Sequence, residues 1–137
     1  MGLDRFLKAQ TGSYDTALQE IRSGRKRSHW MWYIFPQIQG LGFSSTAQFY
    51  AISDLQEAKD YLAEPTLRAR LFEISEALLG LDTGDASAVF GWPDDMKLRS
   101  CMTLFAEAEP DCSVFSDVLA KFFSGVKDDK TLKILYG

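Results

Sequence analysis

Leu67, Leu71, Ile74, Leu78 and Leu81 recur at spacings of four, three, four and three residues, and that rhythm constrains the fold more than any other feature of the chain. An α-helix returns side chains to one face at such intervals, so this segment carries an apolar stripe that a core must cover. Pro65 stands at the first helical position, where its missing N–H costs nothing, and the stretch from Asp82 to Asp85 ends the helix. Other segments supply partners. Tyr14, Ala17, Leu18 and Ile21 follow Ser13 at helical spacing, with Gly24 beyond the end and Gln19, Glu20 and Arg22 on the opposite face. Asp54 and Glu57 read as a capping box ahead of Leu55, Ala58 and Leu62. A helix opening near Asp94 or Asp95 and closing at Pro110 buries Leu98, Cys101, Met102 and Phe105, and turns Arg99, Ser100, Thr103 and Glu107 the other way. Ser113 caps a further helix through Phe115, Val118, Leu119 and Phe122, and a last one runs through Leu132 and Leu135. Shorter helical pieces are predicted over 3–9, 46–51 and 86–90. The fold class is therefore all-α: one compact domain of short helices around one core, spanning 1–137.

With 46% hydrophobic and 13% aromatic residues, the chain can offset the entropy of ordering itself. A net charge of −4 and a pI near 4.9 argue against a nucleic-acid partner, which calls for a basic face. Cys101 and Cys112 are too few and too far apart for a disulfide framework or a Cys-x-x-Cys metal pair, which fits a reducing compartment. Charges follow Met1 at once without an apolar h-region, and Phe6 stands where a myristoylation motif wants Ser or Thr. The longest apolar run, Trp30 to Phe35, is far below the ~20 residues of a membrane span. A cytoplasmic protein without membrane association is expected.

Between the first strong helix and the capping box lies the densest chemistry. Arg25-Lys26-Arg27-Ser28 leads into His29-Trp30-Met31-Trp32-Tyr33-Ile34-Phe35-Pro36, apolar around its whole axis, and then into Gln37-Ile38-Gln39-Gly40-Leu41-Gly42. The apolar run is read as a short buried helix capped by Ser28, because a lone strand among helices would lack backbone partners. The glutamine and glycine stretch is read as a loop.

Taken together, Ala9-Gln10, Glu20-Ile21-Arg22, Gly24, Lys26, the block Ser28 to Gln37, Gly40-Leu41-Gly42, Tyr50-Ala51-Ile52, Phe90-Gly91 and Lys97-Leu98-Arg99-Ser100 with Met102-Thr103-Leu104-Phe105 resemble a bacterial family of small all-helical proteins, the domain of unknown function 1810. The resemblance covers nearly the whole chain and implies an all-helical fold without an assigned activity. The label calpastatin-like sometimes attached to that family does not suit a chain so rich in buried aromatics, since calpastatin is a disordered inhibitor. The family pattern has Gly where Arg68 stands and Ser where Cys101 stands, which weakens a role for either side chain.

Functional candidates come from the residues themselves. A basic run before a helix N-terminus suits a phosphate or carboxylate, through free N–H groups and the positive dipole end. The same run also reads as a solvated turn completing the dipole of the preceding helix. His29 is the sole histidine, the residue type most used as a general base near neutral pH, yet no carboxylate lies near it in sequence to orient it. One histidine without close companions falls short of a metal site, and no cofactor is expected. Trp30, Trp32, Tyr33 and Phe35 can stack on a planar ligand but more often form core, whereas Gln37 and Gln39 sit where a loop can present their amides. Asp94-Asp95 reads as helix-end stabilisation before it reads as an acid/base pair, and Cys101 as a small core residue. The leading expectation is a domain binding a small anionic or nucleotide-like ligand, or a partner, through Arg25, Lys26, Ser28, His29, Gln37 and Arg99. A hydrolase with His29 as base and a purely structural or adaptor protein are the alternatives.

Overall fold

Residues 2–137 are described by the structure, a computed structural model in which the chain forms ten helices and, among the described residues, no strand. In chain order these are α1 (Asp4–Thr11), α2 (Tyr14–Arg22), α3 (Met31–Ile34), α4 (Ser45–Phe49), α5 (Leu55–Ala63), α6 (Pro65–Leu79), α7 (Ala86–Phe90), α8 (Asp94–Ala108), α9 (Val114–Phe123) and α10 (Asp129–Tyr136). The all-α fold expected from periodicity is the fold observed. No helix of the described residues is long and apolar enough to cross a membrane.

The Leu67 to Leu78 stripe does what its spacing requires: Leu67, Leu71, Ile74 and Leu78 are all buried on α6, which packs against α2, α5 and α9. Both ends of α6 are closed by side chains. Glu64 accepts the Leu67 N–H at 2.7 Å, and Lys121 on α9 reaches back to the carbonyls of Leu79 and Leu81. These bonds satisfy backbone groups that a helix leaves open at its termini. The expected capping box at α5 is half formed. Asp54 accepts from Glu57 N at 2.8 Å, but the Glu57 carboxylate turns to Ser53 N and to Arg5, 3.1 Å away.

At the centre lies α8, against α5, α7, α9 and α10, and every residue from Ser100 to Ala106 is buried. The expected polar face at Ser100 and Thr103 is therefore absent. Helices cover α8 on more than one side, and its hydroxyls find partners without water: Ser100 Oγ donates to the Met96 carbonyl at 3.2 Å and Thr103 Oγ1 to that of Arg99 at 2.8 Å. Around Phe105 the core is aromatic, with Tyr61 and Phe115 at centroid distances of 5.2 and 5.8 Å, within the range where ring pairs attract.

Two expectations about the segment 28–42 are corrected. The buried helix is only one turn, Met31–Ile34, with Trp30 at its N-cap position, so Ser28 caps nothing and His29 is not its first residue. Trp30 and Phe35 are core, at 1% and 0% exposure, while Trp32 and Tyr33 are half-buried. The loop after Pro36 is also less free than its glycines suggest. Ile52 N donates to the Gln37 carbonyl and Gln39 N to that of Ile52, both at 2.8 Å, forming an isolated parallel bridge between Ile38 and Ile52. Only then does the chain turn, at Gly40 with φ +106°. Gly42 lies so close to α4 that an added Cβ would stand 2.6 Å from that of Ala47, so the close approach of this loop to the helix requires glycine.

Candidate functional site

The basic segment folds around a carboxylate from its own chain. Glu20, on the face of α2 that sequence periodicity assigns to solvent, accepts from Arg27 N at 2.7 Å, Ser28 N at 3.0 Å, Ser28 Oγ at 2.6 Å and the Trp30 indole N–H at 2.9 Å. Burial alone would raise its pKa, but these hydrogen bonds outweigh it and hold the carboxyl at about 2. Convergent donors of this kind are what the sequence suggested for an external anion. The fold fills them internally.

Lys26 is committed as well. Its ammonium lies 3.0 Å from Asp94 Oδ2, donates to the Ser28 carbonyl at 2.5 Å and sits 5.0 Å over the Trp30 ring, while its backbone N–H is held by Val89 of α7. Arg25 and Arg27 are exposed. His29 is exposed too, at the edge of a hollow of about 200 Å³ shared with Ser13, Thr16 and Tyr33. The ion pairs of the described residues run through Arg5, Lys26, Arg68, Lys97, Arg99 and Lys127, and none includes His29. A general base needs an orienting partner, and this histidine has no carboxylate paired with it.

The other end of the segment opens differently. Gln37, Leu41, Gly42 and Phe43 form one wall of a cleft of about 680 Å³, whose second wall comes from Trp92 and the first two turns of α8 and whose third comes from the start of α10. Its volume falls inside the range of about 300–1,000 Å³ typical of small-molecule sites. Phe43 and Trp92 stand at its edge, 82% and 81% exposed, and Trp32 lies in its wall with the Lys97 ammonium 5.6 Å from its ring. Flat apolar faces and cations thus share one concavity.

Its charges are arranged in pairs. Asp94 holds Lys26 and Lys97 at once, at 3.0 and 3.4 Å. Arg99 faces Asp128 with a nearest N···O distance of 3.7 Å, too long for a hydrogen bond, and its Nε is buried without a partner. Asp128 itself is fixed: Oδ2 accepts from Thr131 N at 3.0 Å and Thr131 Oγ1 at 2.6 Å, and its backbone N–H donates to Thr103 at 2.9 Å. An unsatisfied buried donor on an arginine is uncommon, and the guanidinium fork is suited to planar or tetrahedral anions. Lys130 lines the cleft outside the ion pairs of the described residues.

The residues singled out from sequence therefore separate. Gln37 and Arg99 meet in the cleft; Lys26 reaches its rim only through Asp94; Arg25, Ser28 and His29 lie outside its lining. Asp94 and Asp95 do not face each other as an acid/base pair. Asp95 accepts from Ser87 Oγ at 2.8 Å and from Met96 N, whereas Asp94 holds the two lysines. Cys101 is sealed in the core, and burial pushes its thiol pKa up, away from nucleophilic use. No group of three or more His, Cys, Asp or Glu side chains among the described residues is placed to hold a metal ion. Sequence reasoning missed Phe43, Trp92, Lys130 and Asp128. The available signal was a tryptophan set between Gly91 and Pro93, where neither neighbouring helix can bury it.

A family model described as "Protein of unknown function (DUF1810)" matches residues 1–135. No curated protein matches the chain. Among solved structures, the chain is similar to the conserved hypothetical protein Rv1873 from Mycobacterium tuberculosis, at 43% identity and a TM-score of 0.96, over 98% of this chain and 96% of that one.

Proposed function

The chain belongs to the DUF1810 family of proteins of unknown function, and for this member we propose the binding of a small planar anion of the nucleotide type in the cleft between Phe43, Trp92 and Arg99. One observation carries the reading: a cleft of ligand size is lined by an arginine whose buried Nε has no partner and by two aromatic residues exposed above 80%. A ring system stacked on Trp92 or Phe43 removes apolar surface from water. Its anionic group then pairs with the Arg99 guanidinium, whose Nη2 is 3.7 Å from Asp128 and so not hydrogen-bonded to it, and Gln37 offers both a donor and an acceptor to a polar ring edge.

Isothermal titration of the protein with nucleoside 5′-monophosphates, and with the corresponding uncharged nucleosides, tests this. Saturable binding of the monophosphate, weakened in Arg99→Met and in Trp92→Ala, is the expected result. The absence of heat or fluorescence change with every monophosphate overturns the reading.

A second reading, docking of a protein segment, draws on the same rim: Phe43, Trp92 and Met96 are exposed apolar side chains beside one another's cleft, as at many interaction surfaces. The hydrolase alternative has no comparable support, because His29 borders a different hollow and has no paired carboxylate.

A further inference from the structure

We infer that the cleft discriminates by charge, accepting a ligand with a single phosphate group and disfavouring di- and triphosphates; this rests on the reading of the cleft as a nucleotide-type site. Lys97, Arg99 and Lys130 line it, and Lys26 adjoins through Asp94; against these four cations stand three carboxylates, Asp94, Asp128 and Asp129. The surplus is one positive charge. It is also poorly movable. Asp94 divides its two oxygens between Lys26 and Lys97, and Asp128 is fixed by Thr131 and by the Thr103 hydroxyl on the central helix. Neither carboxylate can swing away without leaving a cation or a helix end unpaired.

A phosphate monoester brings a charge of about −1.5 to −2 at neutral pH, most of which the single surplus positive charge offsets. Each further phosphoryl group adds about one negative charge that this surplus cannot offset, in a cleft whose lining already includes Asp128 and Asp129. Sites built for polyphosphates gather backbone N–H groups in a glycine-rich loop or chelate a divalent ion. Here Asp94 is occupied by two lysines and Asp128 by Thr131, so neither is free to chelate a cation. Like charges brought together in a partly buried site are costly enough to set specificity.

The test is a calorimetric comparison of AMP, ADP and ATP on the wild-type protein and on Asp129→Lys, in buffer containing EDTA. Asp129 is exposed, so the substitution leaves the core intact, and a thermal melt of the variant checks this. The expected result is an affinity order of AMP, then ADP, then ATP, with at least about tenfold between the first and last, and a narrowing or reversal of that order in Asp129→Lys. Equal or tighter binding of ATP by the wild-type protein overturns the charge selection while leaving the site in place. Failure of all three nucleotides to bind overturns the site and the selection together.

Discussion

The Trp30 indole N–H donates to Glu20 Oε1 at 2.9 Å, which ties the buried aromatic turn to the helix before it and closes the intervening basic segment into a ring around one carboxylate. Four donors from three residues meet there. Hydrogen bonds to an ionised group are individually worth about 1.5–3 kcal/mol, and buried donors left without an acceptor carry a cost of similar size. Glu20→Ala is therefore expected to lower stability by about 3 kcal/mol, and Glu20→Gln by about 2 kcal/mol, because the amide retains an acceptor but loses the charge. Urea denaturation followed by tryptophan fluorescence measures both. A change below 0.5 kcal/mol, on the order of a surface substitution, would contradict the role given to Glu20.

The same carboxylate predicts how stability responds to acid. Its folded-state pKa of about 2 lies below the ordinary 4.5 because its hydrogen bonds outweigh the effect of burial. As pH falls the unfolded chain takes up the proton first, so this contribution is complete above about 4.5 and is lost progressively as pH falls toward 2. Glu107 and Glu109 are lowered by hydrogen bonds from Lys127 and Arg68. Glu57 is pushed up by burial but brought down further by Arg5. All act in the same direction. The free energy of unfolding should stay flat above pH 5 and fall below it, with a shallower fall in Glu20→Gln.

Asp94 stands between Lys26 and Lys97. The Lys26 side chain is only 9% exposed, so removing its counter-charge leaves a largely buried cation. Asp94→Asn is expected to cost about 1–3 kcal/mol. In a double-mutant cycle with Lys26→Met, part of that cost should disappear, because the stranded charge is then gone.

How far the sequence reaches is visible in the contrast between α6 and the cleft. The α6 stripe, the Asp54 cap and the Pro65 start depend on neighbours within four residues, and a local pattern reveals them. Glu20 depends on partners seven to ten positions later in a segment without regular structure, so periodicity assigns it to solvent. Phe43, Trp92 and Lys130 come from three distant stretches that meet only in the folded chain. Gln37 and Arg99 were legible as polar residues at a loop and a helix start. That they share one concavity was not.

His29 offers a clean separation between the sequence expectation and the site described above. It is exposed, and it lines a hollow that shares no residue with the cleft. His29→Ala should change stability by less than about 0.5 kcal/mol and leave nucleotide affinity as in the wild-type protein.

Trp92→Ala should behave in the opposite way. With the residue 81% exposed, its loss removes little core, and a thermal melt should move by no more than a surface substitution does. Affinity for a nucleoside monophosphate should fall by about 1–3 kcal/mol, the worth of one base stacked on an aromatic ring.

The most direct test is a map of where the ligand sits. Two-dimensional ¹H–¹⁵N spectra of the labelled protein should be followed while AMP is added, reading the indole N–H of all three tryptophans, the Arg99 Nε–H and the Gln37 amide. Saturable shifts are expected at Trp92, Trp32, Arg99 and Gln37, with the Trp30 indole held unchanged by Glu20. Shifts confined to His29, Ser13 and Tyr33, or no shift at any of these groups at millimolar AMP, would contradict this placement of the ligand.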